Sequence, residues 1–276
     1  MNSFTRTLLA ILIAFAAPAF AQGVAFITNL KGEVAVDGNQ RPLVLAELAK
    51  GQRITVGRDA LLNVMYTASG KEFVLKPGEY EVRETEIASA SGSPIASRST
   101  EWRASNKVLA QVSQTSSASV RMRSAAKPRV DTSAKLVYPT DGGIGTLQPQ
   151  FRWRTPDSIE LAEITVLAAG QEKPVHQAKV SGLAYRMGTK LKADTEYAWT
   201  VASNGKEIGT GRFRTLPAQS IQAIDKRRPA DKAEFSDRLL FALYLQEMGA
   251  QQEAREAWAR LSEERTDLPE LSSLAK

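Results

Sequence analysis

Apolar and polar residues alternate with a period of two through most of this chain, the pattern of strands that bury one face and show the other to water. It is clearest in Phe151-Arg-Trp153-Arg and in Tyr197-Ala-Trp199-Thr-Val201. Shorter runs of the same kind cover 24–29, 32–36, 54–56, 61–66 and 72–75, with Tyr80 and Val82 alternating with Glu79 and Glu81 on a last strand. Asp37-Gly38-Asn39 and Lys50-Gly51 mark turns, and Ser69-Gly70 a hairpin. A second series runs through 136–137, 150–154, 161–168, 175–180, 184–187, 196–202 and 206–214, with the Asn204-Gly205 hairpin signal between the last two. After Pro217 the period lengthens. Phe235, Leu239, Ala242 and Leu243 have helical spacing, with Asp231 and Glu234 as a capping pair, and Gly249 ends that helix. A second helix from Gln251 lines up Ala254, Ala257, Trp258 and Leu261, and Pro269 bounds it.

The expected fold is therefore mainly β: a small β domain over 22–87, a β-sandwich over 136–216, and a C-terminal α-helical hairpin over 217–276. Residues 88–135 form a Ser/Ala-rich linker with strand character at 107–113 and 119–123. Seven strands in the second series is an immunoglobulin-like count. Trp153, Tyr197 and Trp199 are read as sandwich core, not as a sugar-stacking platform, because rings on one buried strand face are not exposed.

Residues 1–21 carry Arg6, the apolar run 8–17 and Ala19-Phe-Ala21, the signature of a cleaved secretory signal. The run is too short to span a bilayer. The expected address is the periplasm, as a protein with no transmembrane helix after cleavage. The chain has no cysteine, which excludes disulfides and thiolate metal sites. Charge is concentrated: between Ala88 and Lys135 there are eight basic residues and two acids, so the rest of the mature chain is close to neutral.

The first block resembles the periplasmic FecR-type domain of ferric-citrate-type sigma-factor regulators. The resemblance lies in Gly32-Glu-Val-Ala-Val36, in Leu48-Ala-Lys-Gly51-Gln-Arg-Ile54-Thr-Val56, and in the run from Leu61 to Tyr66 followed by Gly70 and Phe73-Val-Leu-Lys-Pro-Gly78. The usual Asp-Gly of its hairpin is Ser69-Gly70 here, and no membrane helix precedes the block, so direct sigma-factor regulation is not expected. The stretch 191–201, with Pro139, Pro149 and Trp153, is similar to the tyrosine-corner strand and buried tryptophan of fibronectin type III domains. Gly249, Ala254, Trp258 and Leu261 match the spacing of one tetratricopeptide repeat, in which a small alanine lets paired helices approach. A single repeat cannot bury its own face, so it must dock on this chain, on a copy, or on a partner.

Candidate chemistry is sparse. His176, the single histidine, lacks the companions that catalysis or metal binding requires and reads as an exposed strand residue. Glu79 and Glu81 share one strand face, whereas acid–base catalysis needs carboxylates opposed across a pocket. Asp141-Gly-Gly-Ile-Gly145 lacks the Lys-Ser/Thr and following helix of a phosphate loop and reads as a connection between sandwich strands. The basic segment has too few aromatics for nucleic acid.

The sequence thus points to a non-enzymatic interaction or scaffold protein without cofactor or metal, binding an envelope protein or an anionic cell-wall polymer and no nucleic acid. The alternative is a cell-wall or carbohydrate-binding accessory protein. Candidate contact residues are Phe241, Tyr244 and Trp258 on the helices, and Arg121, Arg123, Lys127 and Arg129 in the basic segment.

Overall fold

The computed structural model describes residues 23–92, 94–100, 135–155, 160–230 and 232–275. The signal segment, the strand-like pieces 107–113 and 119–123, and the basic residues Arg121, Arg123, Lys127 and Arg129 lie outside them.

Ten strands build the first β domain: β1 (Gly23–Lys31), β2 (Val34–Val36), β3 (Asn39–Gln40), β4 (Glu47–Ala49), β5 (Arg53–Val56), β6 (Leu61–Tyr66), β7 (Lys71–Leu75), β8 (Gly78–Val82), β9 (Ile87–Ser89) and β10 (Ala96–Ser99). They form two five-stranded antiparallel sheets, ordered β10-β7-β6-β1-β4 and β3-β2-β5-β8-β9. The Ser69-Gly70 hairpin joins β6 to β7 in the register Leu62↔Leu75, with Gly70 at φ +68°. On β8 the alternation is as expected: Glu79 and Glu81 are exposed, Tyr80 is half-buried and Val82 is buried.

The boundary at residue 88 differs from the sequence reading. β9 runs into the Ser/Ala-rich stretch and β10 lies within it, and they close one edge of each sheet: Glu81 pairs with Ala88, and Phe73 with Ser97. Edge strands that show little apolar surface have linker-like composition, and their pairing comes from the backbone of the neighbouring strand.

The second domain comprises β11 (Lys135–Tyr138), β12 (Gly143–Ile144), β13 (Gln150–Arg154), β14 (Ala162–Ala168), β15 (His176–Val180), β16 (Ala184–Arg186), β17 (Glu196–Ser203) and β18 (Lys206–Thr215). Sheets ordered β11-β13-β16 and β12-β18-β17-β14-β15 share one core that contains Phe151, Trp153, Tyr197, Trp199 and Phe213. The Phe151 and Trp199 rings lie 4.8 Å apart. Trp199 Nε1 donates to the Pro139 carbonyl at 2.7 Å, and the Tyr197 hydroxyl accepts from the Lys192 amide at 2.9 Å, so both polar tips are satisfied inside.

Four helices follow where two had been expected: α1 (Ala218–Arg227), α2 (Phe235–Glu247), α3 (Gln251–Glu264) and α4 (Leu271–Leu274). Only Ile221 and Ile224 are buried on α1, too few to register as a periodic stripe. Glu234 occupies the N-cap of α2 with no side-chain cap bond, and its expected companion Asp231 is outside the described residues. Gly249, at φ +82°, supplies the left-handed residue that ends α2. Helix α2 buries Leu239, Leu240, Phe241, Ala242 and Leu243, residues on more than one side, as a helix covered on opposite flanks must. Among the described residues no helix is long and apolar enough to cross a membrane.

Candidate functional site

The helices do not wait for another molecule to cover them. Phe235, Leu239, Leu240, Leu243, Trp258, Leu261, Leu268 and Leu271 belong to the same apolar core as Phe26, Ile27, Leu62 and Val64 of the first β domain. Trp258 is 1% exposed and Phe241 7%. The face that the sequence offered to a partner is therefore consumed within the chain, and neither ring is open to a second molecule. Tyr244 is half-buried. Ala250 and Ala254 are buried where α2 and α3 meet.

On the other side, the helices meet the second domain through polar groups. The Asp141-Gly-Gly-Ile-Gly145 stretch is more than a connection: its β12 pairs in parallel with β18 and it receives the start of α3. Glu253 Oε1 accepts from the Gly145 amide at 2.7 Å and from the Tyr138 hydroxyl at 3.0 Å. Gln252 Oε1 accepts from the Thr140 amide at 2.7 Å, its amide group donates to the Asp141 carbonyl, and Arg152 pairs with Glu256. A Cβ at Gly143 would overlap the Gly249 carbonyl oxygen, and one at Gly145 would sit 3.1 Å from Ile224 Cδ1. Gly143 is thus needed for close approach of two backbones, and Gly145 for the approach of helix side chains. Burial raises the Glu253 pKa against the pull of its hydrogen bonds, and burial, aided by Glu253, raises that of the Tyr138 hydroxyl.

Where β10 reaches the helices, a half-buried charge network forms. Glu72, fully buried on β7, accepts from Thr28 Oγ1 at 2.6 Å and from Arg98 Nε at 2.6 Å. The other end of the Arg98 guanidinium makes a two-pronged bond to Asp237 of α2, at 3.0 and 2.9 Å, and reaches Ser236 Oγ at 2.9 Å. Burial alone would lower the Arg98 pKa; the hydrogen bond to Asp237 and the charge of Glu72 outweigh it and raise it.

Above this network lies a cleft of about 370 Å³ between the end of β10 and the turn after α1. Among the described residues, Arg98, Lys226, Arg227 and Arg228 bring four cations to its lining, against one acid, Asp237. Two of the arginines stand on aromatic faces: the Arg227 guanidinium 5.1 Å from the Tyr244 ring centre and Arg228 5.5 Å from that of Phe241. Arg227 Nη1 also donates to the Tyr244 hydroxyl at 3.1 Å, and Arg228 pairs with exposed Asp225 at 3.2 Å. Phe241 and Tyr244 thus take a part the sequence did not assign them, as supports for arginines. The signal for this cleft was the run Lys226-Arg-Arg-Pro229, but Arg98 lies more than a hundred residues away and could not be joined to it by spacing.

The other sequence candidates stay apart from this cleft. His176 is half-buried, stacked on Tyr185, with Nε2 2.7 Å from its hydroxyl. Glu79 and Glu81 stand on the outer face of the β5–β8 pair, beside a shallow groove of about 840 Å³. A similar groove of about 860 Å³ crosses the outer face of the β17–β18 pair, over Leu167, Ala198 and Arg212. Among the described residues no three His, Cys, Asp or Glu side chains gather as metal ligands. A scan of family models and a search of curated proteins return no match to the chain.

Proposed function

We propose that this chain is a non-enzymatic interaction or scaffold protein of the periplasm, in which a FecR-like domain and a fibronectin III-like sandwich are held together by a tetratricopeptide-like helical segment. The observation that carries the reading is the position of that segment. Its apolar side completes the core of the first β domain while its polar side seats on the glycine-rich stretch of the second. Two recognition modules are thereby presented in a fixed relation, with a broad groove left open on the outer sheet of each. Such surfaces suit extended contact with another macromolecule, since they offer area and hydrogen-bonding groups without an enclosed pocket. The tyrosine corner made by Tyr197 and Lys192, and the glycine-punctuated first domain, support the module assignments.

Photo-crosslinking in cells tests this reading. A probe at exposed Thr55 or at Ala198, each in an open groove, should give a discrete adduct in the periplasmic fraction, and a probe at buried Leu239 none. Adducts from neither groove, or retention of the chain in the cytoplasm, would count against it. The second reading, an accessory protein for an anionic cell-wall polymer, draws on the arginine cleft.

A further inference from the structure

We propose that the arginine cleft between β10 and the α1–α2 turn is a binding site for a phosphate-bearing ligand. Its cations come from distant parts of the chain, Arg98 from the edge of the first sheet and Lys226, Arg227 and Arg228 from the end of α1. Folding therefore concentrates like charge around one void, a placement that costs stability unless something answers it. Part of the charge is answered internally. Glu72 and Asp237 neutralise Arg98, Asp225 pairs with Arg228, and the carbonyl end of α1 favours the cations of its last turn. Lys226 is exposed and has no ion-pair partner among the described residues, and Arg227 spends one nitrogen on a neutral hydroxyl. Among the described residues, the balance left over is positive.

The guanidinium groups are also held still. Arg98 is fixed by a carboxylate on each side, and Arg227 and Arg228 by the faces of Tyr244 and Phe241. Binding then immobilises little that was free, which is how a preformed site gains affinity. A carboxylate has two oxygens, which one arginine fork matches. A phosphate offers three or more acceptors to several donors at once, and Ser99 adds a hydroxyl to the same wall. The cleft stands on this geometry and does not depend on a protein partner in the open grooves.

The test uses the full chain and two probes, inorganic pyrophosphate by titration calorimetry and vesicles of anionic against zwitterionic phospholipid by co-sedimentation. Wild type should bind at least one probe, more weakly as salt rises, and R227Q/R228Q should lose roughly tenfold or more in affinity. Lys206→Gln, the same kind of charge loss on the β17–β18 hairpin, should stay within about twofold, less than the effect of one neutral hydrogen bond. Pyrophosphate binding that depends on the two arginines identifies a soluble phosphorylated ligand, and vesicle binding alone a lipid headgroup. Either supports the site. Binding of neither probe, or equal losses in R227Q/R228Q and K206Q, overturns it. If the double variant does not fold, Lys226→Glu, at an exposed position, takes its place with the same expectation. Crosslinks from Thr55 and Ala198 should persist in all of these variants, so this site and the scaffold reading fail separately.

Discussion

The helices touch both β domains but are joined to them by different physics. Against the first domain, Leu239, Leu243, Trp258 and Leu271 share one continuous core with Phe26 and Leu62. Against the second, among the described residues, no helix side chain joins the aromatic core around Trp199; beside the approach of Ile224 to Gly145, contact is made by Gln252, Glu253 and Glu256 on backbone and polar groups. Apolar burial scales with area and is non-directional, so the first junction should unfold with the domain it completes. Hydrogen bonds exchanged against water contribute far less net free energy but fix orientation. The first junction therefore supplies stability and the second sets the angle at which the sandwich is held.

Four measurements bear on that contrast. The largest effect is expected from Trp258→Ala, which empties a fully buried indole site and should cost about 3–5 kcal/mol. The loss should appear in denaturant unfolding as a joint weakening of the first domain and the helices. Separate unfolding of helices and first domain would break the comparison. Next is Arg98→Met, which strands the buried Glu72 carboxylate with only Thr28, Asn63 and Ser236 for company. A cost of about 1–3 kcal/mol is expected, moderated because Arg98 is itself 39% exposed. Gly143→Ala acts on the other junction by forcing a Cβ against the Gly249 carbonyl. It should cost on the order of 1 kcal/mol and raise amide exchange at Gly145 and Thr140 while leaving β1 and β6 protected.

The smallest effect is a difference in sign with pH. Glu253, at the polar junction, has a raised pKa in the folded chain, so the folded state holds its proton to higher pH than the unfolded one. Its contribution is greatest below the unfolded value near 4.5 and declines as pH rises through the folded value. On the first-domain side the sign reverses. Hydrogen bonds from Arg238 and Arg265 lower the pKa values of Glu264 and Asp267, whose contributions are present above their unfolded values and lost as pH falls. Both carboxylates are exposed enough for solvent to screen most of this. Glu253→Gln keeps an acceptor for Gly145 and Tyr138 while removing the titration. It should flatten the decline in melting temperature as pH rises above the unfolded value near 4.5, and an unchanged slope would remove Glu253 from the account.

Much of the fold was legible because period-two alternation and turn residues are local. Phe151 and Trp153, Tyr197 and Trp199, and the Ser69-Gly70 and Asn204-Gly205 hairpins all declared themselves within a few residues. β10 was hidden for the opposite reason: its residues bury little, and its place comes from β7 and from a salt bridge to Asp237 far along the chain. Helix α1, with two buried isoleucines, gave too short a stripe, and the glycine-rich stretch at 141–145 could not announce a docking role that depends on Gly249 and Glu253. The candidate site was half visible, as three consecutive cations from Lys226, with its fourth member out of reach.

By itself the sequence determined which segments alternate, where the turns fall, that the period changes after Pro217, and that the helices carry an apolar face too large to leave in water. Those are properties of neighbours, set by propensity and by which residues avoid solvent. Only the tertiary structure decided what covers that face, that Phe241 and Tyr244 support arginines, and that Arg98 joins Lys226 at one cleft. Such outcomes depend on residues brought together by folding, where contact, not spacing, decides what a side chain does.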